Sequence, residues 1–161
     1  MRFVFALAVL SALATTATPA APGMQQMQQH APATAFGNPG NAKDVTRVID
    51  LSLRDTMTIV PDRLRIRQGQ TVRLRITNAG KMPHELVLGT HQEILEHWNM
   101  MRIMPTMQHA EANAVQVAPG ATAEIIWRFS KPGSFLYACL IPLHWEAGMQ
   151  GTITVSPAPK P

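Results

Sequence analysis

At 161 residues, 46% of them hydrophobic, the chain has room for one domain with a short excess at its ends. A formal charge of +4 without long basic runs, and 6% aromatic residues, give no basis for nucleic-acid binding. A single cysteine excludes an internal disulfide framework.

Residues 1–20 begin with Arg2, continue through the apolar run Phe3 to Leu10, and reach small residues around Ala14 to Ala21. This run is too short to span a bilayer and reads as a secretory signal peptide, with cleavage after Ala20 as one option and a retained N-terminal anchor as the alternative. The expected destination is the periplasm, with no stable membrane insertion. Residues 21–43 are rich in Ala, Pro, Gly and Gln and carry M-Q-Q-M-Q-Q-H from Met24 to His30. They lack the apolar periodicity of a packed element and read as a flexible arm. Met24, Met27 and His30 are also soft or borderline donors that suit weak Cu(I) binding.

From Val45 the pattern has period two. Ile49, Leu51 and Leu53 alternate with Val48, Asp50 and Ser52; Leu64 and Ile66 with Arg63, Arg65 and Arg67; Val72, Leu74 and Ile76 with Arg73, Arg75 and Thr77. These are half-buried strands. Their arginines read as a solvated face that discourages edge pairing, or as a surface that steers an acidic partner. After the turn Asn78–Lys81, Pro83 restricts the backbone before His84, whose parity matches Leu86 and Leu88 and points it inward at a strand start. Ile94, Leu95, Trp98 and Met101 or Arg102 recur at helical spacing and predict a helical insertion around 91–104, stopped by Pro105. Met100, Met101, Met104, Met107, His91, His97 and His109 lie in this region, either packed against the sheet or offered to a second copper.

Ala123, Ile125, Trp127 and Phe129 form the apolar face of a further strand, and Lys131-Pro132-Gly133 turns into Gly133–Val155. That last stretch holds Cys139, His144 and Met149 between two strands, with Pro157–Pro161 as a tail. Seven or eight short strands with Gly/Pro turns indicate an all-β sandwich with one helical insertion. An unpaired cysteine in an exported chain is buried, reactive, intermolecular or metal-bound. Thiolate, imidazole and thioether from one loop make a soft set that suits copper; a second imidazole would complete the two-His, one-Cys plane with axial Met of a blue-copper site. A lone inward histidine is commonly structural, but the cluster lacks one nitrogen donor and His84 can fill that place.

Together, N-A-G-K-M-P-H-E-L-V-L-G (Asn78–Gly89) and Y-A-C-L-I-P-L-H-W-E-A-G-M-Q-G-T-I-T-V (Tyr137–Val155) resemble the cupredoxins, and more narrowly the bacterial plastocyanin/azurin-like copper-binding proteins, over about residues 45–156. The four-residue gaps on both sides of His144 are similar to the loop of rusticyanin. The resemblance implies a Greek-key β-sandwich over 44–156, with His84 and His144 as nitrogen ligands, Cys139 as thiolate and Met149 as axial ligand of one type 1 copper ion. It also implies single-electron transfer by Cu(I)/Cu(II) cycling in a monomer, with His144 as the electron port. A redox protein would dock on a collar of Leu140, Ile141, Leu143 and Trp145. Two positions depart from the family pattern: Leu143 stands where Gly is frequent, and Glu85 where an Asn braces the cysteine loop.

A different function fits the same site: copper tolerance or handling outside the cytoplasm, with the Met/His-bearing segments as auxiliary Cu(I) binders. An enzyme is not expected. A Cys139–His144 nucleophile–base pair would leave Met149 without a role, and the H-x-H motifs of multicopper sites are absent.

Overall fold

Alternating side chains send one face of each strand inward, and two such faces packed together make the molecule's core. The structure, a computed structural model, describes residues 34–104 and 111–159. The expected signal peptide, the Met24–His30 segment, Met107 and His109 lie outside the described residues. One sheet has the order β1 (Asn38–Pro39), β8 (Thr122–Arg128), β5 (Thr71–Asn78), β2 (Val45–Arg54), β3 (Thr58–Val60). The other runs β4 (Arg63–Arg67), β10 (Gln150–Ser156), β9 (Gly133–Ala138), β6 (His84–Gly89), β7 (Ala114–Val117). The pairs β2/β5 and β4/β10 are parallel and the remaining neighbours antiparallel. Crossing between sheets in this way produces the expected sandwich.

The period-two readings hold. Ile49, Leu51 and Leu53 of β2, Leu64 and Ile66 of β4, and Val72, Leu74 and Ile76 of β5 are buried in one cluster with Trp127, Phe129 and Tyr137. Ten strands form among the described residues, more than the seven or eight expected. The extra ones, β1, β3 and β7, are edge strands of two to four residues, too short to show a period.

All six residues of β6 are buried, because both its faces are covered. Leu86 and Leu88 enter the sandwich core, whereas Val87 packs against α1 (His91–Ile103) through Ile94 and Met101. The helix starts at a capping box: the Glu93 N–H donates to Thr90 Oγ1 and the Thr90 N–H to the Glu93 carboxylate. It ends at Ile103, before Pro105. Its buried face is Ile94, His97 and Met101; Leu95 is only half-buried, a correction to the expected stripe. Of the methionines, Met101 packs inward, while Met100 and Met104 are exposed.

Candidate metal centre

The strand order brings distant residues to one end of the sandwich. β9 lies between β6 and β10, so Cys139, just past β9, sits beside His84 at the start of β6. The Glu85 N–H donates to Cys139 Sγ across 3.3 Å, which fixes the sulfur's position. Cys139 Sγ lies 3.3 Å from His144 Nδ1 and 4.0 Å from His84 Nδ1. The three donor atoms fall within 4.8 Å of one another, and the imidazole rings are 5.1 Å apart, tilted by 57°.

Residues 140–149 form a compact loop. The His144 N–H donates to the Ile141 carbonyl at 3.0 Å, with Pro142 and Leu143 between them. Leu143 has φ = 75°. Pro followed by a residue of positive φ fits a type II turn, whose third position favours glycine. The departure at Leu143 therefore retains glycine's backbone conformation at a steric cost. Leu143→Gly is expected to raise folding stability by about 1 kcal/mol, measured as a shift of the urea midpoint at unchanged slope. The loop closes where the Met149 N–H donates to the His144 carbonyl and the Cys139 N–H to the Met149 carbonyl, both at 3.0 Å. Met149 is fully buried, in the same core cluster as Cys139.

The helix braces the loop from outside. Trp98 Nε1 donates to Glu146 at 3.1 Å, and the Trp98 and Trp145 rings meet edge to face at 5.3 Å. The expected apolar collar is smaller than the four residues named above. Leu140 is fully buried under α1, Ile141 and Trp145 are half-buried, and Leu143 alone is largely exposed, at 75%. His144 is partly exposed; burial and the neighbouring His84 hold its pKa below the usual histidine value.

Glu85, where the sequence departs from an expected Asn, keeps a bracing contact: its carboxylate accepts from the Leu140 backbone N–H. The group is buried, and its Oε2 has no hydrogen-bond partner among the described residues. Desolvation above all, helped by the charge of Glu111, raises its pKa from 4.5 to about 7. Burial likewise lifts the Cys139 thiol to about 11, partly offset by the Glu85 and Ile141 backbone N–H groups. Asp55 is a further residue at the site, in the turn between β2 and β3. Its Oδ1 lies 3.1 Å from His84 Nε2, while Oδ2 accepts the Lys81 N–H at 2.7 Å. Sequence reading missed it. A turn aspartate 29 positions before its histidine carries no local signal.

The donor set fits copper. Three donors about 2.0–2.3 Å from a central ion in a trigonal plane stand roughly 3.5–4 Å apart. The observed sulfur–nitrogen separations of 3.3 and 4.0 Å are close to that spacing, and all three donors lie within 4.8 Å of one another. Two imidazoles and a thiol with a buried thioether nearby are soft to borderline donors, unsuited to magnesium or calcium.

A two-sheet β-sandwich with a His–Cys–His cluster at one end is a cupredoxin. Residues 47–156 match the copper binding proteins of the plastocyanin/azurin family, and the chain belongs to that family. A "copper-resistant cuproprotein CopI" of Rubrivivax gelatinosus is 47% identical over 126 residues, covering 78% of this chain and 76% of that protein. A protein of the same name from Pseudomonas aeruginosa is 35% identical, covering 80% of this chain and 88% of its own. Among solved structures, the dithionite-reduced auracyanin of Roseiflexus castenholzii superposes with a TM-score of 0.60 at 20% identity, over 70% of this chain and 98% of that one. At that identity the likeness concerns the fold.

Proposed function

We propose that this chain is an exported copper-resistance protein holding one copper ion between His84, Cys139 and His144, with Met149 as a fourth, axial donor. The convergence of the three donor atoms within 4.8 Å carries the reading. The names of the relatives favour copper tolerance over dedicated electron transfer as its purpose. Export rests on the character of residues 1–20, and the reading assigns no catalytic turnover.

Copper would supply a one-electron couple at this site. The chain's own residues do the rest. Cys139 and Met149 are held in the core away from water, and the Glu85 N–H orients the sulfur. The closed turn Ile141–His144 presents His144 at the surface, and of the His–Cys–His set it is the partly exposed member. That partial exposure, beside the exposed Leu143, supports electron transfer to a docked redox protein as a second reading.

Loading the purified protein with Cu(II) is expected to produce an intense thiolate-to-copper absorption at one copper per chain, lost in Cys139→Ser. In a copper-sensitive strain, the wild-type gene is expected to restore growth on copper and Cys139→Ser to fail. Restored growth with Cys139→Ser would refute the tolerance role of this site. Survival of the absorption in that variant would refute the ligand assignment.

A further inference from the structure

Asp55 touches three things at once. It accepts the Lys81 N–H at 2.7 Å and the Met82 N–H at 3.4 Å, and it stands 3.1 Å from His84 Nε2. Those contacts tie the β2–β3 turn to the loop that enters β6. The His84 ring is fully buried, and its other nitrogen, Nδ1, faces Cys139 Sγ at 4.0 Å. A carboxylate facing Nε2 has no proton to give, so the hydrogen bond requires Nε2–H. The neutral ring then has a bare Nδ1, the form a metal binds.

We infer that Asp55 is a positioning residue for His84, locking the tautomer that presents Nδ1 to the site and biasing the site toward Cu(II) over Cu(I) through its negative charge. The second half rests on the copper reading above. A carboxylate hydrogen-bonded to a ligating imidazole makes the ring more basic and stabilises the metal's higher charge more than its lower one. Asp55's side chain is 35% exposed, so solvent screens this effect and its size falls at the lower end for such partners, about tenfold.

The first test needs no metal. In the metal-free wild type, ¹⁵N shifts of the His84 ring are expected to show Nε2 protonated and Nδ1 bare. In Asp55→Ala the two tautomers are expected to mix. A wild-type Nδ1–H form, or an unchanged tautomer in Asp55→Ala, overturns the locking role. The second test uses the holoprotein and the near-isosteric Asp55→Asn, which removes charge while keeping an acceptor. Competition against Cu(II) and Cu(I) chelators is expected to show the Cu(II)/Cu(I) affinity ratio falling about tenfold, a reduction potential about 59 mV higher.

An unchanged ratio overturns the charge effect, even if Asp55→Asn lowers folding stability through its Lys81 and Met82 contacts. Absence of the thiolate-to-copper absorption in the wild type would instead remove the copper reading. The copper bias would fall with it, and the tautomer result would be decided on its own.

Discussion

Glu85 is expected to withdraw on the order of 3 kcal/mol of folding stability from the metal-free protein as pH rises from about 4.5 to somewhat above 7, and Glu85→Gln to abolish that contribution. Glu85's pKa stands at about 7 in the folded chain against an ordinary 4.5, chiefly because burial penalises its charged form. Below the ordinary value the carboxyl is protonated in both states and contributes no slope. Between the two values the folded state keeps a proton that the unfolded state has released, so stability falls as pH rises. Above the folded value the loss is complete, and the curve is flat again.

His144 works in the opposite sense. Its lowered pKa makes the unfolded state the better proton binder below the ordinary histidine value, so its contribution rises with pH. Comparing wild type with Glu85→Gln by urea denaturation across the range isolates the Glu85 part. Parallel curves for the two proteins would show that Glu85 ionises as freely in the fold as outside it. The buried acid has a structural reason to persist, since it holds the Leu140 N–H beside the cysteine.

Gly151→Ala is expected to destabilise the fold by about 3 kcal/mol or more, through overpacking at the exit of the ligand loop. Gly151 faces Tyr137 across β9 and β10, and an added Cβ would overlap Cζ, Oη and Cε2 of that ring. The ring cannot swing aside. It is fully buried, and its hydroxyl donates to the Pro61 carbonyl at 2.6 Å. Gly69 provides the contrast. Its φ of 88° carries a backbone cost for alanine, but no atom lies within 4 Å of the added carbon. Gly69→Ala is therefore expected to cost only about 1 kcal/mol. Chemical denaturation of both variants checks the difference, and equal losses would show that the backbone and not the Tyr137 ring governs position 151. Because Met149 lies two residues away, Gly151→Ala is also expected to broaden the copper absorption of any protein that folds.

Most of the frame is legible in the sequence. Strand periodicity is local: Arg63-Leu64-Arg65-Ile66-Arg67 declares its buried face within five residues, and the structure buries Leu64 and Ile66. The helix is legible for the same reason, through the three- and four-residue spacing of its apolar residues and the stop at Pro105, although its inner face takes His97 where Leu95 is expected. The collar expected around His144 does not include Leu140, which is buried. Its burial depends on α1 lying across that end of β9, a packing decision made between segments far apart in sequence.

The donors follow the same division. The chain by itself marked Cys139, His144 and Met149 as candidate donors, because they share one loop and their chemistry can be read from spacing. It made His84 a candidate through parity alone. Tertiary structure decided that β6 lies beside β9, which brings His84 Nδ1 to 4.0 Å from the sulfur. It also decided what stands behind the donors: Glu85 against the Leu140 backbone, and Asp55 against the far nitrogen of His84. Neither contact has a sequence period, since each depends on which strands become neighbours. A copper-suited loop is written locally; the groups that orient it are brought in by the sheet.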